Sequence, residues 1–158
     1  MLLSAHGVSF TIPAGWEGEI SQERGPQALA LAERGAHLRP VAHAATFALP
    51  AERGAFGSGA VEAMRDDDVF LALVEYERGA TDTALFARRG LPRRLDPRRF
   101  HPAALQRTLP GQAGHQEFFT DTGRAFCLYV VLGDADDAHL QVRRVEEVLA
   151  GIRIGSGP

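Results

Sequence analysis

The fold is decided by residues 114–154, which contain the apolar run Phe126-Cys127-Leu128-Tyr129-Val130-Val131-Leu132. A strand precedes this run, Gln116-Glu117-Phe118-Phe119, and the two are joined by the turn sequence Asp121-Thr122-Gly123. The pattern therefore predicts a β-hairpin. Since the second strand is apolar at every position, both of its faces must be covered, and we predict that it lies in the middle of a sheet.

An amphipathic helix is predicted directly after this strand. Its apolar positions fall within about 120° on a helical wheel and form one core-facing stripe. They are Ala138, Val142, Val145, Val148 and Leu149. Polar residues occupy the opposite side: His139, Arg143, Arg144, Glu146 and Glu147. Asp134, Asp136 and Asp137 stand where the helix dipole favours negative charge, Gly151 is expected to end the helix, and 152–154 forms a last short strand.

The first half of the chain adds further strands. Residues 8–12 alternate apolar and polar, which is typical of a half-buried strand, and the turn 13–15 ends it. Residues 16–20 are predicted to return antiparallel to it, and 43–49 is predicted to be a third strand. The segment 69–76 is again apolar on both faces, so we expect it to lie beside 126–132 in the centre of the sheet.

The remaining segments are less regular. Residues 27–33 fit either a short helix or an alternating strand, and Ser58 is a predicted N-cap for a short helix that ends near Met64. Prolines interrupt 79–114, which we expect to be irregular apart from one helical turn or edge strand near 103–109. Together the elements predict a single α+β domain over 1–158, with an antiparallel sheet of about five to seven strands flanked by helices.

The composition excludes several kinds of site. All 17 basic residues are arginine, so a lysine-dependent phosphate loop and a Schiff base are excluded. One cysteine cannot form an internal disulfide or a cysteine-based metal cluster. The net charge of −3 gives no general attraction to nucleic acid. Without a secretion-signal pattern or an apolar run approaching membrane-spanning length, we predict a cytoplasmic protein with no membrane association.

Most candidate sites have a structural explanation. Cys127 lies between apolar residues, which predicts a core thiol rather than a nucleophile. The glycines of 54–59 match no phosphate-binding fingerprint, so a turn is favoured over an anion-binding loop. The three aspartates of 134–137 are explained as helix caps, and the six histidines show no metal-ligand spacing. We therefore predict no cofactor, no metal and no catalytic residues.

The arginine-rich segment 88–107 has two interpretations. Arginine pairs recur every five residues in it: Arg88, Arg89, Arg93, Arg94, Arg98 and Arg99. The segment is a solvated loop if the arginine stems cover the apolar residues between them. It is a binding surface if the guanidinium groups face an acidic partner, a phosphate or a nucleic acid.

Short motifs at the two ends of the chain resemble the PsbP-like superfamily, which includes the photosystem II extrinsic subunit and a Ran-binding protein. The motifs are the opening Ile12-Pro13-Ala14-Gly15-Trp16, the hairpin with Arg124-Ala125-Phe126, and the closing Val148-Leu149-Ala150-Gly151-Ile152-Arg153-Ile154. They cover about a third of the chain. The resemblance implies an α/β/α-layered antiparallel sheet and a role in binding or assembly, and it carries over no catalytic residues.

Two functional hypotheses follow. The first is a non-catalytic, bacterial-type module that binds a protein partner or supports assembly. The second is a protein or enzyme that binds a small anionic ligand with arginines of 88–101, with His101 or His115 as acid or base. Nucleic acid ranks third, and a homodimer would form most naturally along an edge strand at 8–12.

Overall fold

The computed structural model of the chain describes residues 1–22 and 39–157, so the prediction for 27–33 lies outside the described residues. Within them the chain forms eight strands and one α-helix. These are β1 (Leu2–Ala5), β2 (Val8–Thr11), β3 (Glu17–Gln22), β4 (Pro40–Ala45), β5 (Val69–Glu75), β6 (Ala113–Asp121), β7 (Arg124–Leu132), α1 (Ala138–Ala150) and β8 (Ile152–Ile154). Short 3₁₀ turns occur at Val61–Ala63, Arg78–Asp82, Ala84–Phe86, Pro97–Arg99, Pro102–Ala104 and Ala135–Asp137.

The strands form two antiparallel sheets, which confirms the predicted α+β class. The larger sheet has five strands in the order β3-β4-β5-β7-β6, and the smaller one has three in the order β1-β2-β8. The two strands that are apolar on both faces are direct neighbours, with Leu71 opposite Val130. Their predicted place at the centre of the sheet is confirmed. The last strand, β8, joins the smaller sheet rather than the larger one.

Each face of the five-stranded sheet carries its own apolar cluster. One face packs against the smaller sheet and α1, whose predicted stripe is confirmed because Val142, Val145, Val148 and Leu149 are buried. The opposite face carries Phe70, Cys127, Tyr129 and Val131 among others, and partly buried apolar residues of 47–64 and 105–109 pack on it. In the described part of the chain, these covering segments are loops and 3₁₀ turns.

The predicted hairpin is present, with a turn that explains its sequence. Asp121 pairs with Arg124, so the loop between β6 and β7 has two residues, Thr122 and Gly123. Both have positive φ angles, 49° and 75°. Two-residue loops of this kind match the right-handed twist of the strands, and glycine adopts the second position without steric cost.

Two predictions for the N-terminal strands are wrong. β3 pairs with β4, with Glu19 opposite His43, and not with β2. β2 instead lies between β1 and β8, because the tight turn at His6 and Gly7 folds β1 back onto it. It is therefore not an edge strand, and the seam predicted there for a homodimer is already occupied by the chain itself.

Two local predictions differ from the structure, and one predicted cap agrees with it. β4 covers Pro40–Ala45 instead of 43–49, and directly after it the Thr46 hydroxyl donates to Asp68 at 3.1 Å. The 3₁₀ turn after residue 60 has Ala60 as its N-cap with no side-chain bond, so Ser58 is not the cap. The first of the three aspartates does cap a turn, since Asp134 accepts from the Asp136 N–H at 2.9 Å.

Arg124 joins the two sheets through a buried ion pair. Its Nε and Nη2 donate to both carboxylate oxygens of Glu75, at 3.0 and 2.6 Å. Nη1 and Nη2 also donate to the carbonyls of Gly155 and His6, which flank the smaller sheet. The arginine side chain is only 3% exposed, so these bonds are shielded from water.

Candidate functional site: a cavity above strand β7

A cavity of about 350 Å³ lies on the loop-covered face of the five-stranded sheet. It is bounded below by β7 and on its sides by the loop 54–62 and the segment 105–112. Its lining residues are Gly54, Ala55, Phe56, Ser58, Val61, Glu62, Leu105, Gln106, Arg107, Gln112, Tyr129 and Val131. Small-molecule sites have volumes of about 300–1,000 Å³ and mostly apolar walls, so this is a cavity of suitable size and character.

The cavity has a buried floor and an exposed rim. Val61, Gln112, Tyr129 and Val131 are buried, and they form the floor together with the partly buried Phe56. The rings of Phe56 and Tyr129 meet edge to face with centroids 5.6 Å apart. The rim consists of four exposed polar residues: Ser58, Glu62, Gln106 and Arg107.

The loop that forms one wall is fixed by its own backbone. Gly54 N–H donates to the Ser58 carbonyl at 2.8 Å, and Gly57 N–H donates back to the Gly54 carbonyl at 3.0 Å. Gly57 has a φ of +87°, and a Cβ atom there would lie 2.5 Å from the ring of Phe70. Only glycine meets both conditions without a shift of its surroundings. The glycines of 54–59 thus form a turn that shapes the cavity.

Buried His43 anchors the same loop from the adjacent strand β4. Its Nε2 lies 2.7 Å from the Ala55 carbonyl, and its Nδ1 accepts from Arg53 Nε at 2.7 Å. Arg53 in turn forms an ion pair with Glu19 at 2.7 Å. Burial lowers the pKa of His43 to about 4, so the ring is neutral at pH 7. The neutral tautomer with a proton on Nε2 satisfies both contacts.

Gln112 carries a buried acceptor with no partner in the described structure. Its side-chain Nε2 donates to the Val61 carbonyl at 2.8 Å, whereas no described group donates to its Oε1. A buried polar atom without a hydrogen bond is rare and costs free energy. This orphan acceptor belongs to a side chain that lines the cavity.

Tyr129 contributes the second polar group of the floor. Its hydroxyl accepts a hydrogen bond from the Gln106 backbone N–H at 2.9 Å. Burial raises the pKa of Tyr129, so the phenol is protonated at neutral pH. This bond ties the segment 105–107 to β7, and the hydroxyl group keeps a proton to donate.

The arginine-rich segment lies elsewhere. None of the predicted ligand-binding residues lines the cavity; these are Arg88, Arg89, Arg93, Arg94, Arg98, Arg99 and His101. Of the arginines in the segment 88–107, only Arg107 reaches the cavity, at the rim.

Two of the seven residues come together at the edge strand β6. Arg88 Nη1 lies 2.7 Å from Glu117 Oε2, and Arg99 Nη1 lies 3.9 Å from Glu117 Oε1. The same carboxylate accepts from His115 Nε2 at 2.9 Å, with Glu117 and His115 both buried. Glu117 is therefore the common partner of Arg88, Arg99 and His115 in one network.

The other predicted residues have separate structural contacts. Arg93 donates to the carbonyl of Leu149, in the last turn of α1, and to that of Ile152 just beyond it, where a cation is favoured. Arg94 pairs with Glu146 at 3.3 Å, and Arg98 pairs with Asp96 at 3.0 Å. His101 Nδ1 accepts from the Ala103 N–H at 3.0 Å and caps a short turn. Arg89 is exposed.

The apolar residues between the arginines point inward. They are Phe86, Leu91, Leu95 and Phe100, and all four are buried. The segment also bonds to β6 through its backbone, with Gly90 N–H to the Thr120 carbonyl at 2.8 Å and His101 N–H to the Gly114 carbonyl at 2.9 Å. The segment therefore covers an edge of the sheet with its apolar side chains and its backbone.

The remaining sequence candidates are structural. Cys127 is fully buried, and burial raises the pKa of its thiol to about 12, so the predicted core role is confirmed. Within residues 1–22 and 39–157, no three histidine, cysteine, aspartate or glutamate side chains are grouped as metal ligands. In the same ranges no helix is long and apolar enough to cross a membrane.

Sequence reasoning missed Gln112 and Tyr129 as functional candidates. Tyr129 appeared only as part of an apolar strand, and Gln112 stands in an irregular stretch with no motif around it. The one available signal was the glycine-rich stretch 54–59 with Phe56 inside it, which indicated a turn but not what the turn encloses.

Comparisons of the chain with family models, curated proteins and solved structures give no match. The resemblance to the PsbP-like superfamily therefore stays a prediction. What the chain does has to be inferred from its own geometry.

Proposed function

We propose that the protein binds a small, mainly apolar molecule in the cavity above β7. The observation that carries this proposal is a volume of about 350 Å³ whose floor combines apolar side chains with two fixed polar groups, Gln112 and Tyr129. Ligand sites typically combine an apolar surface with a few placed hydrogen-bonding groups in this way.

The charges at the rim favour a neutral ligand. Arg107 and Glu62 are the charged residues of the lining, and they have opposite signs. The second sequence hypothesis placed an anion among the arginines of 88–101, but Arg88, Arg94 and Arg98 pair with Glu117, Glu146 and Asp96. A ligand in the cavity would meet one arginine and one glutamate, so a net negative charge brings it no general advantage.

The lining suits binding better than catalysis. Proton transfer needs an acid or base within hydrogen-bonding reach of the reacting group. Glu62 lies on the exposed rim, where its carboxylate accepts from the Gly59 N–H at 2.7 Å, and burial raises the pKa of the Tyr129 phenol at the floor. His43 and His115 do not line the cavity. The polar groups of the floor therefore supply hydrogen bonds and orientation.

A thermal-shift screen with neutral one- and two-ring compounds tests this function. A ligand at one hundred times its Kd stabilises the fold by about 2.7 kcal/mol. That corresponds to a rise in Tm of about 5–11 °C for a chain of this size. Val131→Phe, which places a bulky aromatic ring on the floor, should reduce this ligand-induced rise in Tm.

Arg98→Glu is the control, because Arg98 lies outside the lining and its side chain is 90% exposed. It should leave the ligand-induced shift unchanged. Flat melting curves for every compound would contradict the proposal, as would a shift that Arg98→Glu removes and Val131→Phe retains.

A protein-interaction or assembly role is the second candidate. It is supported by the exposed guanidinium groups of Arg89, Arg98 and Arg99. The double variant Arg89→Glu/Arg98→Glu keeps the Arg88–Glu117 pair and the Arg93 bonds to the end of α1. Capture of the same partner by the parent and by this variant would contradict a role for these arginines.

Three further properties predicted from the sequence also stay proposals. They are a PsbP-like fold with α/β/α layering, a bacterial-type cytoplasmic location, and self-association as a homodimer. Size-exclusion chromatography with light scattering tests the last of these, and a mass of one chain would contradict it.

A further inference from the structure

We infer that the cavity recognises a flat, neutral aromatic molecule through an N–H or O–H group that donates to Gln112 Oε1. This rests on the proposed function and adds the chemical class of the ligand. The sequence alone does not indicate this ligand class, because the inference depends on the placement of one amide at the cavity floor.

The orientation of the Gln112 amide is fixed by its neighbour. The Val61 carbonyl can only accept, so the side-chain atom 2.8 Å from it must be the donor Nε2. The other atom of the amide is then the oxygen, which accepts from no described group. An exchange of the two atoms would place two acceptors against each other. The unpaired acceptor, itself shielded from water, therefore belongs to a side chain of the cavity floor, and a ligand that pairs with it must carry a donor.

The cost of an unpaired acceptor makes the recognition selective. A buried carbonyl without a donor is unfavourable, so a ligand that supplies one removes this cost, whereas an isosteric ligand without a donor leaves it in place. Sites built around a hydrogen bond reject analogues that lack the bonding group much more strongly than they reject a change in apolar size.

The shape and surface of the cavity favour an aromatic body. Phe56 and Tyr129 place aromatic rings at the floor, and Val61, Leu105 and Val131 complete the apolar lining. Aromatic rings gain from edge-to-face and offset contacts beyond the area that they bury. Since a cavity of about 150 Å³ already accepts benzene, about 350 Å³ has room for a bicyclic ring system.

The test compares indole with benzofuran, which has the same shape but a ring oxygen in place of the N–H. Dissociation constants are measured by calorimetry for the parent chain, for Gln112→Leu and for Gln116→Leu. The last variant makes the same replacement at an exposed position of β6 outside the cavity lining, so it is the matched control. In the parent and in the control, indole should bind about tenfold more tightly than benzofuran.

In Gln112→Leu the ratio should fall to about one, mainly through weaker indole binding. If both compounds bind the parent equally, the inference is wrong while the proposed function stands. If neither compound nor any other neutral ring binds, the proposed function itself fails. Because the parent ratio needs no variant, the inference is tested even if Gln112→Leu does not fold.

Discussion

Arg124→Met should destabilise the protein more than any other single arginine replacement in the described part of the chain. The substitution keeps an unbranched side chain of similar length but removes the guanidinium group. Glu75, whose side chain is 11% exposed, would then be left as a buried carboxylate without its partner. The carbonyls of His6 and Gly155 would lose their donors as well.

The size of the effect follows from burial. Removing one partner of a buried, hydrogen-bonded ion pair costs about 3–5 kcal/mol, because the other charge stays uncompensated. For a chain of 158 residues this lowers Tm by about 6–20 °C. Arg94 is the comparison: its side chain is 89% exposed, and it pairs with Glu146 at 3.3 Å. Arg94→Met should cost less than about 1 kcal/mol.

Urea unfolding of the two single variants and of the double variant Arg124→Met/Glu75→Leu measures these differences. The double variant should be more stable than the sum of its single changes predicts, with a coupling energy of about 1–3 kcal/mol. If Arg124→Met costs no more than Arg94→Met, the buried pair does not join the two sheets as described.

Three further predictions concern single positions. Gly57→Ala should lower the free energy of unfolding by about 1–3 kcal/mol, because φ is +87° and the new Cβ meets Phe70. Gly79 has open space around it, so Gly79→Ala should be close to neutral in the same urea titration. The pKa of His43 is lowered to about 4 from 6.5, so between these pH values the unfolded chain binds one more proton than the folded protein. The free energy of unfolding should therefore fall as the pH falls from 6.5 to 4, by an amount on the order of 3 kcal/mol. His43→Gln should flatten this pH dependence, and an unchanged slope in the variant would contradict the prediction. The pKa of Cys127 is raised to about 12 and the thiol is buried, so a thiol reagent at pH 8 should label it only at the rate of unfolding, and rapid labelling of the native protein would show that the strand is accessible.

The sequence predicts the parts of the fold that depend on local pattern. Alternation and apolar runs identify β5, β7 and the buried stripe of α1, because side-chain direction repeats every two residues in a strand and every 3.6 in a helix. The hairpin turn at Thr122 and Gly123 can also be predicted from local sequence, because its two positive φ angles restrict which residues can occupy it.

The pairing of distant strands is harder to predict. β2 pairs with β8, which follows it by more than a hundred residues, and β3 pairs with β4 rather than with its nearest neighbour. Periodicity states that these segments are strands but contains no information about which edge each one meets. The prediction that 8–12 is an exposed edge failed for this reason.

The candidate site could not be predicted from the sequence either, because it is formed by contacts between distant segments and not by a sequence motif. The arginines form the most conspicuous pattern in the chain, yet Arg93 caps a helix end and Arg88 neutralises Glu117. Gln112 has no conspicuous pattern. It matters because the fold places its amide next to the Val61 carbonyl at the cavity floor.

A crystal structure of the protein grown with saturating indole tests the central claim most directly. We predict one indole between the loop 54–62 and the segment 105–112, with its ring near Phe56 and Tyr129. Its N–H should lie within hydrogen-bonding distance of Gln112 Oε1. Indole bound elsewhere on the chain, with this cavity left unoccupied, would contradict the proposed binding site.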